Sequence, residues 1–293
     1  MMKLPSRLRI VVVFTAVLAV VVGTANNAVA ADEMISFGKE MFKLNLGYYR
    51  PNFSSTVAVG LPGSAPPSIS GENDLGLDNN LGGVRFDGYW RFADRHRLIF
   101  GYYKLDRNAS RVLDKNIGPI NIPGHGDLTI NSGSNIQTEA KWEVFILGYG
   151  YSLYKTETLE IAGQLGLNVA QLSTQISGTL YTTPATIPSP LTGSTAGSSV
   201  SVPLPAIGFS GDWAIDDSWR MRGHAGGFKI KINNIEANVV DASVAGEYRV
   251  YRNIWGGLGY NILNASAKKS DSSSDASLDW RTGGWQLYGS ILF

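Results

Sequence analysis

The last nine residues, Trp285-Gln-Leu-Tyr-Gly-Ser-Ile-Leu-Phe293, constrain this chain most. Counting back from Phe293, one alternate set is apolar or glycine: Ile291, Gly289, Leu287 and Trp285. The other set, Leu292, Ser290, Tyr288 and Gln286, is mostly polar or amphipathic. A period of two marks a strand with one apolar face. In water such a terminal strand is an open edge that invites aggregation. In lipid it can close a barrel, with Trp285 and Phe293 at opposite interfaces. Eight steps of about 3.3 Å at a tilt of about 40° cover about 20 Å, close to the apolar band of a membrane barrel.

The other end of the chain agrees. Residues 1–30 read as a secretory signal. Lys3, Arg7 and Arg9 precede the apolar run Ile10–Val22, which only Thr15 interrupts, and Ala28-Val29-Ala30 forms a small-residue cleavage site. Residues 31–293 then form one domain. After Ala31 the longest purely aliphatic or aromatic stretch is Val144-Phe-Ile-Leu147, far below the run of about 18 that a membrane helix needs. A chain that enters lipid without such helices must close on itself as a barrel. There are no cysteines, which excludes a disulfide scaffold, thiol catalysis and cysteine-based zinc sites. The 25 basic residues lose Lys3, Arg7 and Arg9 with the signal, leaving near balance with the 24 acidic ones. That balance gives no general attraction to nucleic acid.

Two kinds of connection alternate along the mature chain. Tight, charged ones lie at 93–96, 155–158, 216–218 and 251–253. Long segments rich in Pro, Gly, Ser and Asn lie at about 51–80, 108–135 and 178–200, with shorter ones at 268–276 and near Asn233-Asn234. Between them stand ten strand candidates: 41–50, 82–92, 97–107, 137–153, 159–176, 204–214, 219–231, 236–250, 254–266 and 277–293. Pro203 and Pro205 sit where the sixth would begin, a place that tolerates a missing N–H. The expectation is an all-β, antiparallel transmembrane barrel of about ten strands, or of eight or twelve if one hairpin is misread. Its short turns face the periplasm and its long loops face outward.

The faces of these strands supply the candidate site. Val84, Phe86, Trp90 and Phe92 alternate with Arg85, Asp87 and Arg91; Ala140, Trp142 and Val144 alternate with Glu139, Lys141 and Glu143. In the eighth strand Val240, Val244 and Tyr248 alternate with Asp241, Glu247 and Arg249. The seventh changes phase: Arg220, Arg222 and His224 share one parity and Lys229 the other, so a bulge at Gly226-Gly227 would keep them all inward. Arg85, Asp87, Arg91, Glu139, Lys141, Glu143, Arg220, Arg222, His224, Lys229, Asp241, Glu247 and Arg249 are therefore expected to line the lumen. Unpaired charge in a narrow barrel is costly, so a salt-bridge ladder that plugs the lumen is favoured over an open selectivity lining. Aromatic bands are expected at both interfaces. Trp90, Phe92, Trp213, Trp219, Tyr248, Trp255 and Phe293 would form the periplasmic band, and Tyr48, Tyr102, Trp142 and Trp285 the outer one.

At this point the chain resembles the Gram-negative outer-membrane β-barrel proteins of the small, porin-like kind. The features that carry the likeness are the signal, the loop alternation, the C-terminal WQLYGSILF, and stretches such as FILGYGYSLY (145–154) and GLGYNILN (257–264). The resemblance implies an outer-membrane location, surrounded by outer-membrane lipid and lipopolysaccharide. It further implies that Trp285, Leu287, Ile291 and Phe293 form the signal read by the barrel assembly machinery, with periplasmic chaperones as escorts. Tyr288 departs from that signal, which often has Gly there.

The resemblance is weak for activity, because barrels host unrelated functions. His96 falls in a periplasmic turn, His224 inside a strand, and His125 with Asp127 in the second long loop. No second motif supports acid–base chemistry, so no enzyme is expected. Asp271-Ser-Ser-Ser-Asp275 lacks calcium-loop spacing, and Gly256-Gly-Leu-Gly259 lies within a strand rather than before a helix. No metal or cofactor is expected. The favoured function is a narrow or plugged porin-like barrel that passes or binds small solutes or serves envelope integrity. A surface-recognition, adhesin-like barrel acting through its loops is the alternative, and an outer-membrane hydrolase the third. Deleting Phe293 should impair insertion; undiminished heat-modifiable protein in isolated outer membranes would contradict the assembly-signal assignment.

Overall fold

The computed structural model describes residues 34–60, 68–80, 82–122, 126–183, 191–232, 234–270 and 275–293. The signal segment, His125 and Asp271–Ser274 lie outside them. Ten long strands form the wall: β1 (Phe42–Gly60), β2 (Gly83–Ala93), β3 (His96–Val112), β4 (Asn135–Lys155), β5 (Leu159–Leu180), β6 (Leu191–Ala214), β7 (Trp219–Ile232), β8 (Ile235–Tyr251), β9 (Ile254–Ser270) and β10 (Asp275–Leu292). Each pairs antiparallel with its sequence neighbours, and β10 pairs with β1 from Lys43↔Leu292 to Gly60↔Asp275. The barrel is closed, so no lipid-facing edge is left in the spanning part. Tight turns join β2 to β3, β4 to β5, β6 to β7 and β8 to β9, as expected from the charged tetrads and triads.

The large apolar side chains point away from the lumen. Leu46, Leu165, Phe209, Val244, Leu258 and Leu287 are all more than half or about half exposed. A water-soluble protein does not display such a belt; lipid covers it. At its periplasmic edge Trp219 packs on Tyr248 with ring centroids 4.9 Å apart, and Phe42 stacks on Trp90 at 5.9 Å. At its outer edge Tyr260 meets Trp285 at 5.2 Å.

Above the belt the two faces exchange character. On β4 the outward set runs Leu153, Tyr151, Tyr149, Leu147 and Phe145, then Glu143, Lys141, Glu139 and Gln137. The inward set runs Ser152, Gly150 and Gly148, then Val144, Ala140 and Ile136, the last three buried. On β5, Leu165, Leu167 and Val169 give way to Gln171, Ser173 and Gln175. On β1, Leu44, Leu46 and Tyr48 give way to Arg50, Asn52 and Ser54. The strand period continues unbroken while the solvent outside changes from lipid to water.

This exchange corrects four lumen assignments. Glu139, Lys141 and Glu143 lie on the outer face beyond the lipid, where Lys141 pairs with Glu139 at 3.3 Å in the open. Lys229 also faces outward and pairs with Glu236 at 2.9 Å. The bulge expected at Gly226-Gly227 is absent: the β7–β8 register runs evenly from Trp219↔Tyr248 to Ile232↔Ile235. β5 likewise keeps a continuous register with β4 past Val169. Polar residues were assigned inward throughout, which holds only at the depth of lipid.

The long segments are also more regular than their composition implied. β1 and β3 run into segments read as loops, β5 and β9 end only three residues inside theirs, and β6 begins at Leu191. Pro203 and Pro205 therefore sit inside β6, opposite Val169 and Leu167 of β5. They are tolerated because β6 pairs with β7 only from Ile207↔Gly227 to Ala214↔Arg220. Above Ile207 the second edge of β6 has no ladder among the described residues, so a missing N–H costs nothing there. The wall is low above β2 as well, but that gap is filled. Ser68–Ser70 pairs back on β1, Gly76 turns in the left-handed region (φ 72°), and Phe53 N–H donates to Asn79 O at 2.8 Å. Glu72 accepts from the Ser55 N–H at 2.8 Å and from Arg107 at 2.6 Å. Burial would raise its pKa, but those two donors outweigh burial and hold it below the ordinary carboxylate range. Leu75 and Leu77 then join Leu113, Ile117, Ile130, Ile136 and Ala140 in an apolar core outside the membrane.

Leu165→Arg, on the lipid face, should destabilise the folded barrel by about 2–4 kcal/mol. Glu143→Lys, one strand away but beyond the exchange point, should cost no more than about 0.5 kcal/mol. Urea titrations in lipid vesicles would check both; equal costs would contradict the position of the exchange.

Candidate functional site

Within the lipid belt the lumen is filled from the periplasmic end by ion pairs. Lys43 Nζ donates to both oxygens of Glu247, at 2.8 and 2.7 Å. Their side chains are 4% and 0% exposed, so water contributes almost nothing to their solvation. The Tyr288 hydroxyl donates to the same carboxylate at 2.8 Å, and Arg222 reaches it at 3.4 Å. Arg222 Nε also donates to Asp212 at 2.9 Å, and Asp212 accepts from Arg97 at 3.4 Å. A second knot lies beside the first. Arg91 grips Glu160 with both terminal nitrogens, at 2.9 and 2.8 Å, while the Ser152 hydroxyl donates to the same carboxylate. Glu40 accepts from the Tyr89 hydroxyl and from Arg91.

Arg220 closes the floor differently. Its guanidinium lies 4.1 Å from the Trp255 ring centre and 5.3 Å from that of Phe37. Trp255 was expected in the periplasmic belt; it points inward instead and is 2% exposed. Arg249 covers its ring at 4.8 Å. The cation–π arrangement accounts for the inversion, since a ring face offers a desolvated guanidinium a partner that lipid does not.

Above the floor is a chamber of about 240 Å³. Arg85, Asp87, Arg97, Gln164, Ser210, Asp212, Arg222, His224, Asp241, Ser243, Asn261 and Gln286 line it. Arg85 donates to Asp87 at 2.8 Å on one wall, supported by Asn45 at 2.8 Å. On β7 and β8, half-way round the ring, His224 Nε2 lies 2.7 Å from Asp241. Aromatic and aliphatic side chains lie above. Tyr49, Phe53, Leu105 and Trp280 are buried there, with Tyr103, Trp142 and Leu172 packed on them. Trp142, expected at the outer interface, points inward in this layer, its ring centre 3.8 Å from that of Trp280.

Of the residues expected in the lumen, Arg85, Asp87, Arg222, His224 and Asp241 meet at the chamber. Arg91, Arg220, Glu247 and Arg249 lie in or around the floor. Glu40, Lys43, Arg97, Glu160, Asp212 and Tyr288 were not among the expected lumen residues, yet they complete both knots. Their signal was present in Lys43, Glu160 and Asp212, each the polar member of an alternating pair near a periplasmic turn. His96 bonds the Tyr149 hydroxyl at 2.6 Å on the outer face, away from the chamber.

These features define a closed ten-stranded barrel of the outer-membrane type. Among solved structures, the outer membrane protease OmpT of Escherichia coli is similar, with a TM-score of 0.50 and 12% identity over 89% of this chain and 99% of that one. OprG of Pseudomonas aeruginosa (TM-score 0.30, 10% identity, 87% and 97% covered) and Ail of Yersinia pestis (0.29, 10%, 84% and 97%) also match. At 12% identity the likeness to OmpT is one of fold alone. No family model and no curated protein matches the sequence.

Removing one member of a buried knot leaves its partner charged and unpaired, at a cost of about 3–5 kcal/mol. Glu247→Ala should show that loss in urea titrations. The double variant Lys43→Met with Glu247→Leu should lose less than Glu247→Ala alone. The reverse order would mean that the pair is not held in a water-poor floor.

Proposed function

We propose that this protein is a plugged outer-membrane barrel that holds small polar solutes in its lumen and passes them when the floor loosens. The observation that supports this most is the chamber of about 240 Å³ lying directly on a floor of paired, water-excluded charges. A chamber lined by donors and acceptors from seven or more strands is costly to maintain merely as filling. Apolar side chains would occupy the same space without desolvating charge. The floor blocks free diffusion, as expected for a barrel of this strand number, whose interior is largely occupied by side chains.

The test is conductance across a planar bilayer. The wild-type barrel should be nearly silent. Arg222→Ala removes the guanidinium shared by Asp212 and Glu247 and should raise conductance several-fold in a normally folded barrel. Large, steady wild-type currents, or a folded Arg222→Ala barrel no more conductive than wild type, would contradict the plugged chamber.

A further inference from the structure

We infer that Arg220, Arg249 and Trp255 form a binding site for a small oxyanion at the periplasmic mouth, and that residues 34–37 are the strap that covers it. The site lies on the far side of the floor from the chamber and stands whether or not the chamber holds a solute. The first argument is charge. The floor and mouth carry six cations, Lys43, Arg91, Arg97, Arg220, Arg222 and Arg249, against four carboxylates, Glu40, Glu160, Asp212 and Glu247. The two carboxylates whose charge acts most on Arg220 are Glu40 and Glu247. Both are already engaged, Glu40 by Tyr89 and Arg91, Glu247 by Lys43, Arg222 and Tyr288. Among the described residues, Arg220 and Arg249 form no ion pair. Both guanidiniums lean on one ring, 4.1 and 4.8 Å from the centre of Trp255, where they repel each other. One anion beside that ring relieves the repulsion and serves both.

The second argument is the cover. The segment Met34–Glu40 crosses the mouth. The Ile35 N–H donates to Asn253 Oδ1 in the β8–β9 turn at 3.0 Å, the Phe37 ring centre lies 5.3 Å from the Arg220 guanidinium on β7, and Glu40 reaches Tyr89 and Arg91 on β2. The Glu40 end is buried and held by ions, whereas the first four residues are not. Arg249, half-buried at the mouth, donates to Met34 Sδ at 2.9 Å. Arg220, 5% exposed, lies behind Phe37. A thioether is among the weakest side-chain acceptors, and an oxyanion is a strong one that fits the guanidinium fork. Exchanging the first for the second gains charge-assisted bonds and displaces only residues 34–37. Gly38, with a φ of 74°, turns the chain between that part and the anchored Glu40.

The test uses the full-length mature barrel refolded in an uncharged detergent, with inorganic phosphate as the probe against chloride at equal ionic strength. The chain has no cysteine, so Ser36→Cys carries a single nitroxide on an exposed position of the strap. Equilibrium dialysis should show saturable phosphate binding, weakened about tenfold or more by Arg249→Gln and by Arg220→Gln. Neither substitution strands a carboxylate, so heat-modifiable mobility should stay normal in both. Phosphate should also raise the mobile fraction of the nitroxide several-fold, and chloride should not. An absence of phosphate binding, binding that survives both substitutions, or an equal response to chloride overturns the anion site. Phosphate binding with an immobile nitroxide overturns the strap.

Discussion

Lipid gives a peptide group nothing to hydrogen-bond, so the ladder between β1 and β10 is the contact on which the molecule depends. It joins residues more than two hundred positions apart, and the chain's last residue is part of it. Phe293 donates to Phe42 O at 2.9 Å, and its carbonyl accepts from Met41 and Phe42. The register of this seam also decides which face of β1 is wet. With Lys43 opposite Leu292, Lys43 and Asn45 point inward while Leu44 and Leu46 face lipid. A slip of one residue would reverse all four. The Lys43–Glu247 pair is therefore a product of closure as much as of electrostatics.

A single strand period has to serve two solvents. At the depth of lipid, apolar side chains belong outside and charge must be gathered in the lumen, paired. Beyond the lipid the outside is water, and the ordinary economy of a globular protein returns. There the lumen holds Phe53, Leu105 and Trp280, and the outside carries Glu139, Lys141 and Lys229. The chamber occupies the level at which the two regimes meet. Its walls belong to the charged regime, and the aromatic layer of the apolar one packs on itself above them.

Strand number, strand order and the tight turns were legible because period two and charged turn residues are local properties. The outward extension of the strands was not. Ser-, Gly- and Thr-rich stretches such as 191–202 carry no apolar alternation, and what holds them in β6 is the hydrogen-bond ladder to β5. The errors at Glu139, Lys141, Glu143 and Lys229 share one cause. Alternation identifies two faces but does not say which is inside, and the answer changes with depth. Trp142 and Trp255 misled for the same reason, since an aromatic at a strand end suits an interface or a lumen equally well. The partners of the recognised charges were hidden by distance along the chain. Lys43 and Glu247 are 204 residues apart, and only the closed topology brings them together.

The floor's construction constrains how it could ever open. Pulling Lys43 from Glu247 in a space that excludes water would strand two charges, at a cost comparable to a large share of a domain's stability. Arg222 offers a less costly path, because it already touches both Asp212 and Glu247. It can shift its weight from one carboxylate to the other without ever being unpaired, while Tyr288 and Lys43 continue to satisfy Glu247. An ion entering the floor would compete for these partners, whereas an uncharged molecule would not. The neutrality of the lining and the blockage of the lumen are thus two consequences of one arrangement, in which each charge is held by more than one partner.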